Sequence, residues 1–171
     1  MVLSDVEIEK SLRSGVMKIR PLKPEQIGPA SVDLTVSDEW YFFKKKYIGK
    51  VVDLKKVDFR EAHRKVKANT VELKPGEMCL GKTVEKITLP ADMMGKLEGR
   101  SRYARMGISV HITSAVVQPG SDNHQVLEIV NLAPFTIKLH KGMRISQVVF
   151  KTLVSKSSKP YAKYGKIARR Q

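Results

Sequence analysis

The chain has 171 residues, with 32 Lys and Arg against 17 Asp and Glu, so its formal net charge is +15. That length fits one domain with a sizeable core, and no apolar run approaches the ~20 residues that a membrane-spanning helix requires. The N-terminus leads into a charged, helix-like segment and not a signal peptide, and the single cysteine, Cys79, excludes a disulfide framework. We therefore expect a cytoplasmic protein that does not interact with membranes.

The excess of positive charge favours an anionic partner, such as a polyphosphate or a nucleic acid. A lysine-rich surface suited to solubility or high temperature explains the composition equally well. Basic residues without acidic ones fill residues 151–171, where serines and Pro160 are typical of a loop. We therefore divide the chain into a domain at 1–150 and a basic tail at 151–171. Tyr161 and Tyr164 favour a tail that becomes ordered over an anionic ligand rather than one that binds nothing.

A short helix is predicted over residues 4–14. Ser4 and Glu7 have the spacing of a capping box, in which their side chains accept hydrogen bonds from the free N–H groups of a helix start. Ile8 and Leu12 are four residues apart and therefore share a face. Gly15 then supplies a stop.

From Ser31 onward, short apolar segments separated by turn residues predict strands. Val32, Leu34 and Val36 alternate with polar neighbours, as in a half-buried strand. Further strands are predicted at 71–73, 78–80, 87–89, 108–117, 125–132, 135–139 and 145–150. Short strands at this spacing are typical of a mainly β fold, namely a sandwich, a jelly roll or a barrel.

One helical turn is predicted among the strands. Ser101 is a good N-cap, the residues up to Arg105 form the turn, and Gly107 ends it. Ser101 and Arg105 are four residues apart, so they share a face. Arg100 and Arg102 flank the serine, and the free N–H groups of a helix start attract anions. The segment is therefore predicted to bind phosphate, although an ordinary capped turn with solvated arginines has the same sequence pattern.

Glu128 stands within an apolar run, between Leu127 and Ile129, with Val126 and Val130 on either side of them. A strand with apolar residues on both faces is buried, and a carboxylate there is costly unless it is paired or hydrogen-bonded. Two interpretations stay open. Glu128 either forms a structural ion pair with an arginine, or acts as a general base whose pKa is set by its partly buried surroundings.

Several motifs of nucleotide chemistry are missing from the sequence. Zinc-dependent nucleotide deaminases need a Cys-x-x-Cys pair, and this chain has one cysteine. There is no P-loop or dinucleotide fingerprint and no Gly-x-Ser-x-Gly elbow. The four histidines, His63, His111, His124 and His140, are scattered along the chain. We therefore expect no zinc and no other metal held by protein ligands.

Six segments in order along nearly the whole chain resemble the dCTP deaminase branch of the trimeric dUTPase superfamily. LSDVEIEKSLRSG resembles its N-terminal helix, PASVDL its first strand motif and LKPGEMCLGKTVEKITLP its central hairpin. EGRSRYARMGISVHIT resembles its phosphate and catalytic motif, QPGSDNHQVLEIVN its nucleoside motif and KGMRISQVVF its late strand. One such motif alone is a weak signal, whereas six in the right order are specific.

The resemblance implies a fold and an assembly. The subunit is expected to be a distorted jelly roll or β-barrel of the dUTPase-like type, with a short N-terminal helix and one short internal helix. Three subunits are expected to form a homotrimer with active sites between them. The implied ligand is dCTP or dUTP, with Mg²⁺ bound to the triphosphate and no zinc.

The resemblance also assigns residues to the site. The catalytic residues of the family match Glu128, Ser101 and Arg105; its triphosphate-binding residues match Arg100, Ser101, Arg102, Tyr161 and Lys163; its nucleoside-binding residues match Thr113, Ala115, Val117, Gln118 and Gln125. In the implied reaction, Glu128 takes a proton from a water held near Ser101, so that hydroxide attacks C4 of cytosine. Glu128 then passes the proton to the ring and to the departing ammonia. Arg105 would offset negative charge and tune the pKa of Glu128.

The sequence departs from the family pattern at three places. Gln118 stands where the family usually has an aspartate that helps to activate water for attack on phosphorus, and an amide is no base at neutral pH. Residues 121–124 replace a usual aromatic and glycine, and Lys166-Ile167-Ala168 replaces a Gln/Gly-rich ending. The first departure argues against dUTP hydrolysis.

Three functions therefore compete. The first, which we expect, is deamination of dCTP to dUTP and ammonia. The second is dUTP diphosphatase activity, alone or combined with deamination to give dUMP and pyrophosphate. The third is non-catalytic binding of nucleotide or nucleic acid on the same fold. Nucleic-acid binding is not expected, although the charge of +15 is compatible with it.

Overall fold

The computed structural model describes residues 1–164, so the predicted replacement at Lys166-Ile167-Ala168 lies outside the described residues. The elements with helical structure are α1 (Asp5–Arg13), α2 (Phe59–Ala62), α3 (Ser101–Ala104) and α4 (Tyr161–Tyr164), with 3-10 turns at Pro24–Gln26 and Lys45–Tyr47. The strands are β1 (Lys18–Arg20), β2 (Ile27–Gly28), β3 (Ser31–Phe43), β4 (His63–Lys67), β5 (Thr70–Leu73), β6 (Met78–Thr88), β7 (Met93–Gly99), β8 (Ile108–Val110), β9 (Val116–Val117), β10 (Asp122–Asn131), β11 (Ile137–His140) and β12 (Arg144–Thr152).

Ten strands form one sheet in the order β8-β10-β6-β3-β12-β7-β9, with β1 also paired to β6 and with β2 and β4 paired to β3. The sheet curls into a half-barrel, and β5 and β11 form a separate pair. Within residues 1–164 the strand pairings are antiparallel, as in β10, where Glu128 lies opposite Leu80 of β6. The predicted mainly β fold is confirmed.

The core lies inside the curl of the sheet because the long strands alternate buried and outward-facing residues. Trp40 and Phe150 are fully buried, together with Leu34, Leu127 and Ile129. Their burial removes apolar surface from water, which is the main favourable term in folding. On β6, a Cβ at Gly81 would lie 2.8 Å from the Val36 side chain and 2.9 Å from that of Ile129. Only glycine therefore fits where β6 crosses this part of the core.

The N-terminal helix is confirmed, but its predicted capping box is wrong. Ser4 occupies the N-cap position with extended backbone angles, yet its side chain makes no capping hydrogen bond. The helix start is held instead by the backbone, since Asp5 N–H donates to Pro29 O at 2.9 Å. Gly15 follows the helix with φ of +74°, as expected for a stop.

One predicted strand differs in the structure, and two helical turns are additional to the predicted elements. The single strand predicted at 108–117 is broken into β8 and β9, with bends at residues 112 and 113. His111, at the break, has φ of +56°, a left-handed conformation that no strand contains. The helical turns α2 and α4 were not predicted.

Residues 153–157 stay attached to the domain. Strand β12 ends at Thr152, slightly beyond the boundary predicted at residue 150. Leu153 N–H then donates to Asp92 O at 2.8 Å, and Ser157 N–H donates to Ala91 O at 2.8 Å. Within residues 1–164, no helix is long and apolar enough to cross a membrane.

Candidate active site

A cavity of about 490 Å³ lies beside the central part of β10. Its walls come from β3, α2, β6, β7, the segment between β8 and β10, and α4. The lining residues are Tyr41, Asp58, Phe59, Arg60, Leu80, Lys82, Leu97, His111, Ser114, Val116, Val117, Gln118, Ser121, Asn123, His124, Gln125, Val126, Glu128 and Tyr161. The volume lies in the range typical of small-molecule sites.

Glu128 lies at this cavity and not inside the core. Leu127 and Ile129 are buried, whereas Val126, Glu128 and Val130 are only half-buried on the opposite face of β10. The prediction of a strand buried on both faces is therefore wrong, because the strand alternates with a period of two. Val126 and Val130 are apolar without belonging to the core.

Among the described residues, Thr113 is the one that holds the Glu128 carboxylate. Its Oε2 accepts a hydrogen bond from Thr113 Oγ1 at 2.7 Å and one from Thr113 N–H at 3.1 Å. Among the described residues, no lysine or arginine nitrogen lies within ion-pair distance of Glu128, so the structure gives no support to a structural ion pair with an arginine. Hydroxyl and amide donors fix one carboxylate oxygen and leave Oε1 without a hydrogen bond within residues 1–164.

His111 supports Glu128 from the break between β8 and β9. The backbone N–H of His111 donates to the backbone O of Glu128 at 2.9 Å, and the His111 side chain lines the cavity. Neither ring nitrogen has a hydrogen-bond partner within residues 1–164. Burial lowers the pKa of His111, an effect that the Glu128 charge and the Ser114 backbone only partly oppose. The imidazole is therefore neutral at pH 7.

Three of the five residues predicted to bind the nucleoside line the cavity, and two do not. Val117, Gln118 and Gln125 line the cavity. Ala115 does not line it, whereas its neighbour Ser114 does. Ala115 O accepts a hydrogen bond from Leu97 N–H at 2.7 Å, which ties that residue to β7. Thr113 acts on Glu128 rather than on the cavity wall.

Gln125 is held by hydrogen bonds to other residues of the same chain. Its N–H donates to Thr83 Oγ1 at 2.9 Å, and its Nε2 donates to Asn123 Oδ1 at 2.9 Å. The exposed Gln118 precedes a turn in which its backbone O accepts from Ser121 Oγ at 2.7 Å. These hydrogen bonds fix the positions of the polar residues at one end of the cavity.

The turn α3 lies outside this cavity. Ser101, Arg102 and Arg105 are all exposed, and none of them lines the cavity within the described chain. Ser101 is the first helical residue and Arg100 is the N-cap, so the predicted capping role of Ser101 is wrong. Arg105 N–H donates to Ser101 O at 3.1 Å, which keeps the two residues on one face as expected. Within residues 1–164, Ser101 and Arg105 are therefore not part of the cavity that Glu128 lines.

Arg100 differs from the other residues of this turn because its side chain is engaged. Its Nε lies 3.0 Å from Asp33 Oδ1, and its Nη1 donates to Arg144 O at 2.9 Å. Arg102, in contrast, only lies over the ring of Tyr103, with its Cζ 5.7 Å from the ring centroid.

The tail reaches the cavity through Tyr161. Its N–H donates to Pro119 O at 2.9 Å, and its side chain lines the cavity. Gly120 has φ of +75°, and a Cβ there would lie 2.6 Å from Pro160 Cβ, so glycine permits the tail to pack on this turn. Lys163 is exposed and does not line the cavity in the described part of the chain.

Sequence reasoning missed the wall that α2 contributes. Asp58 caps this turn, since its Oδ1 accepts from Glu61 N–H at 2.9 Å. Phe59 then faces Tyr41, with ring centroids 5.8 Å apart, and both line the cavity with Arg60 and Lys82. The spacing of Asp58 and Glu61 is that of a helix start, so this signal was available in the sequence.

Known structures share this fold. The chain is similar to a 2'-deoxycytidine 5'-triphosphate deaminase from Agrobacterium tumefaciens, with a TM-score of 0.69 and 23% identity over 88% of this chain and 48% of that one. This chain thus spans about half the length of the Agrobacterium protein. It is also similar to the EIAV dUTPase, with a TM-score of 0.55 and 16% identity over 85% of this chain and 93% of that one. The fold is dUTPase-like, as predicted.

Sequence comparison identifies the family within this fold. A family model described as dCTP deaminase-like matches residues 2–153. A dCTP deaminase from Rhodospirillum rubrum is 38% identical over 95% of this chain and 88% of the relative. A protein from Methanosphaera stadtmanae named dCTP deaminase, dUMP-forming, is 37% identical over 94% of this chain and 83% of the relative. The chain belongs to the dCTP deaminase-like family, which confirms the predicted resemblance.

Proposed function

We propose that this chain deaminates dCTP to dUTP and ammonia, with Glu128 as the general base. The observation that carries the proposal is the placement of the Glu128 carboxylate at the cavity, with Oε2 held by Thr113 and Oε1 available to a water. A positioned carboxylate within reach of a water is what general-base chemistry requires. The name of the Rhodospirillum relative gives independent support.

The proposed reaction balances without an additional reagent. Glu128 takes one proton from the water, and the resulting hydroxide adds to C4 of cytosine. Glu128 returns this proton to N3, then takes the proton of the new C4 hydroxyl and gives it to the amino group. The C4–N4 bond breaks with its electron pair on nitrogen, ammonia leaves, and C4 keeps a carbonyl oxygen. Neutral His111 places no positive charge beside the Glu128 carboxylate.

We further propose that the complete site forms in a homotrimer. Ser101 and Arg105 lie outside the cavity that contains Glu128, so a neighbouring subunit has to supply them. In this arrangement Ser101 would hold the attacking water and Arg105 would offset charge near Glu128. Arg102 would bind the triphosphate together with Tyr161 and Lys163. A closed ring of identical head-to-tail contacts produces three such sites.

Mg²⁺ is proposed to enter the site on the substrate. Within residues 1–164, no group of three or more His, Cys, Asp or Glu side chains is placed to hold a metal ion. The triphosphate oxygens would supply the ligands, as is usual for this ion, and the ion would neutralise part of the phosphate charge. Arg102 would bind the remaining phosphate oxygens.

A second candidate is the bifunctional reaction that ends in dUMP and pyrophosphate. The Methanosphaera relative is named dUMP-forming, and this name is the observation that favours the candidate. Gln118 argues against it here, because an amide at the polar end of the cavity is no base. We expect the native protein to release no pyrophosphate from dUTP.

The variant Gln118→Asp sharpens this distinction. It places a carboxylate where the family usually has one, so we expect measurable pyrophosphate release that Gln118→Asn lacks. Pyrophosphate release by the native protein at the rate of ammonia release would instead establish the bifunctional reaction.

The proposed function is tested by incubating the protein with each dNTP and Mg²⁺, separating the products by chromatography and measuring ammonia. We expect dUTP and ammonia from dCTP alone. No ammonia from dCTP would contradict the proposal. No turnover of any dNTP, together with nucleic-acid binding that weakens steeply with salt, would identify a non-catalytic binder.

A further inference from the structure

We propose that Asp33 is a positioning residue, which holds the Arg100 side chain and thereby fixes the start of α3. The inference rests on the proposed function, because it concerns the turn that carries Ser101 and Arg105. It assigns Arg100 to the support of this turn and not to the triphosphate.

The contacts of Asp33 support this assignment. Its carboxylate lies on β3, with 14% of the side chain exposed, and Oδ1 is 3.0 Å from Arg100 Nε. Oδ2 is 3.8 Å from Arg144 Nη1, and that nitrogen also donates to Glu25 O at 2.8 Å. Arg100 Nη1 donates to Arg144 O at 2.9 Å. The Arg100 guanidinium is therefore held on two edges by two different strands.

The backbone of Arg100 connects its anchored side chain to α3. Its carbonyl accepts hydrogen bonds from Tyr103 N–H at 2.9 Å and from Ala104 N–H at 3.0 Å. The strand that precedes it is fixed too, because Ser146 Oγ donates to Glu98 O at 2.9 Å and Gln147 Nε2 donates to Gly99 O at 3.1 Å. Arg100 is thus the last firmly held residue before the exposed residues of the turn.

The energetics suggest that Asp33 is not placed there for stability. Burial raises the pKa of Asp33 although Arg100 and Arg144 both oppose this effect. Desolvation thus destabilises the ionised carboxylate more than the two guanidinium groups stabilise it. This is a common result for partly buried ion pairs. Such a pair is better explained by the geometry that it enforces.

A change of Asp33→Asn tests the positioning role. We expect the variant to fold and kcat for dCTP to fall about tenfold or more, because small misplacements of catalytic groups are costly. KM should change less than about threefold. Asp33→Glu, which keeps the charge, should recover part of kcat. The matched control is Asp38→Asn on the same strand, whose carboxylate lies 3.9 Å from Lys67 Nζ and away from α3.

Arg100→Lys separates support of the turn from phosphate binding. Lysine keeps the charge but cannot bond Asp33 and Arg144 O at once, so kcat should fall as far as in Arg100→Gln. A raised KM with unchanged kcat in either variant would overturn the proposal and return Arg100 to the triphosphate. Turnover by Asp33→Asn equal to that of Asp38→Asn would also overturn it.

Hydrogen exchange provides a readout that does not depend on activity. The amides of residues 103–105 should exchange faster in Asp33→Asn than in Asp38→Asn, because the turn loses its anchor. If native protein does not deaminate dCTP, faster exchange still supports the anchor while the proposed function fails. Unchanged exchange at these amides would overturn the anchor whatever the activity.

Discussion

The cavity around Glu128 and the turn α3 differ in how completely a single chain builds them. Glu128 has its carboxylate fixed by Thr113 and its backbone fixed by His111, and eighteen other residues line the same cavity. Ser101, Arg102 and Arg105 are exposed and outside this cavity, although Arg100 anchors their backbone. In the proposed trimer, the proton-transfer side would be organised within one chain, and the cationic side would be presented to a neighbouring chain.

The largest expected effect comes from removing the base. Glu128→Gln keeps the shape of the side chain but no longer accepts a proton, so ammonia release from dCTP should fall at least about a hundredfold. The control Asp122→Asn on the same strand removes an exposed carboxylate that pairs with Lys86 at 2.9 Å. Equal rates in the two variants would show that Glu128 is not the base.

A smaller loss is expected when the Glu128 carboxylate keeps its charge but loses an anchor. Thr113→Val removes the 2.7 Å bond to Oε2 and leaves the backbone bond in place. A hydrogen bond to a charged group contributes roughly 1.5–3 kcal/mol, so kcat should fall about tenfold or more. Thr113→Ser keeps the hydroxyl and should retain most activity. A serine variant as slow as the valine variant would argue against this anchor.

The smallest expected effect is a pH dependence of stability that comes from His111. Burial holds its folded pKa below the ordinary value of 6.5, so the unfolded chain binds the proton more readily. The stabilising contribution is therefore present above pH ~6.5 and is lost as the pH falls below it. His111→Asn tolerates the positive φ and should show a shallower loss of unfolding free energy on acidification, measured by urea denaturation. Identical pH profiles would contradict the neutral buried imidazole.

Much of the fold was accessible from the sequence because period-two alternation survives in the long strands. Val32, Leu34 and Val36 are buried as predicted, and the helix at Asp5–Arg13 has the expected place. The environment predicted for Glu128 was wrong, because the residue is half-buried at the cavity and not inside the core. Its half-buried neighbours Val126 and Val130 are apolar, so hydropathy alone assigned them to the core.

The remaining features depend on contacts that local patterns do not contain. The break at His111 requires a left-handed conformation, which histidine rarely signals. Ser114, and not Ala115, lines the cavity after that break. The tie between Asp33 and Arg100 joins distant parts of the chain, so neither residue shows it in its own neighbourhood.

The division of the site between subunits is tested most directly by mixing two inactive variants. Ser101→Ala and Glu128→Gln subunits, carrying different tags, are co-expressed, and trimers with both tags are purified. Every such trimer contains one interface that joins an intact Glu128 to an intact Ser101 of its neighbour, so about a third of native activity should return. Doubly tagged trimers as inactive as both parents would contradict a site shared between subunits.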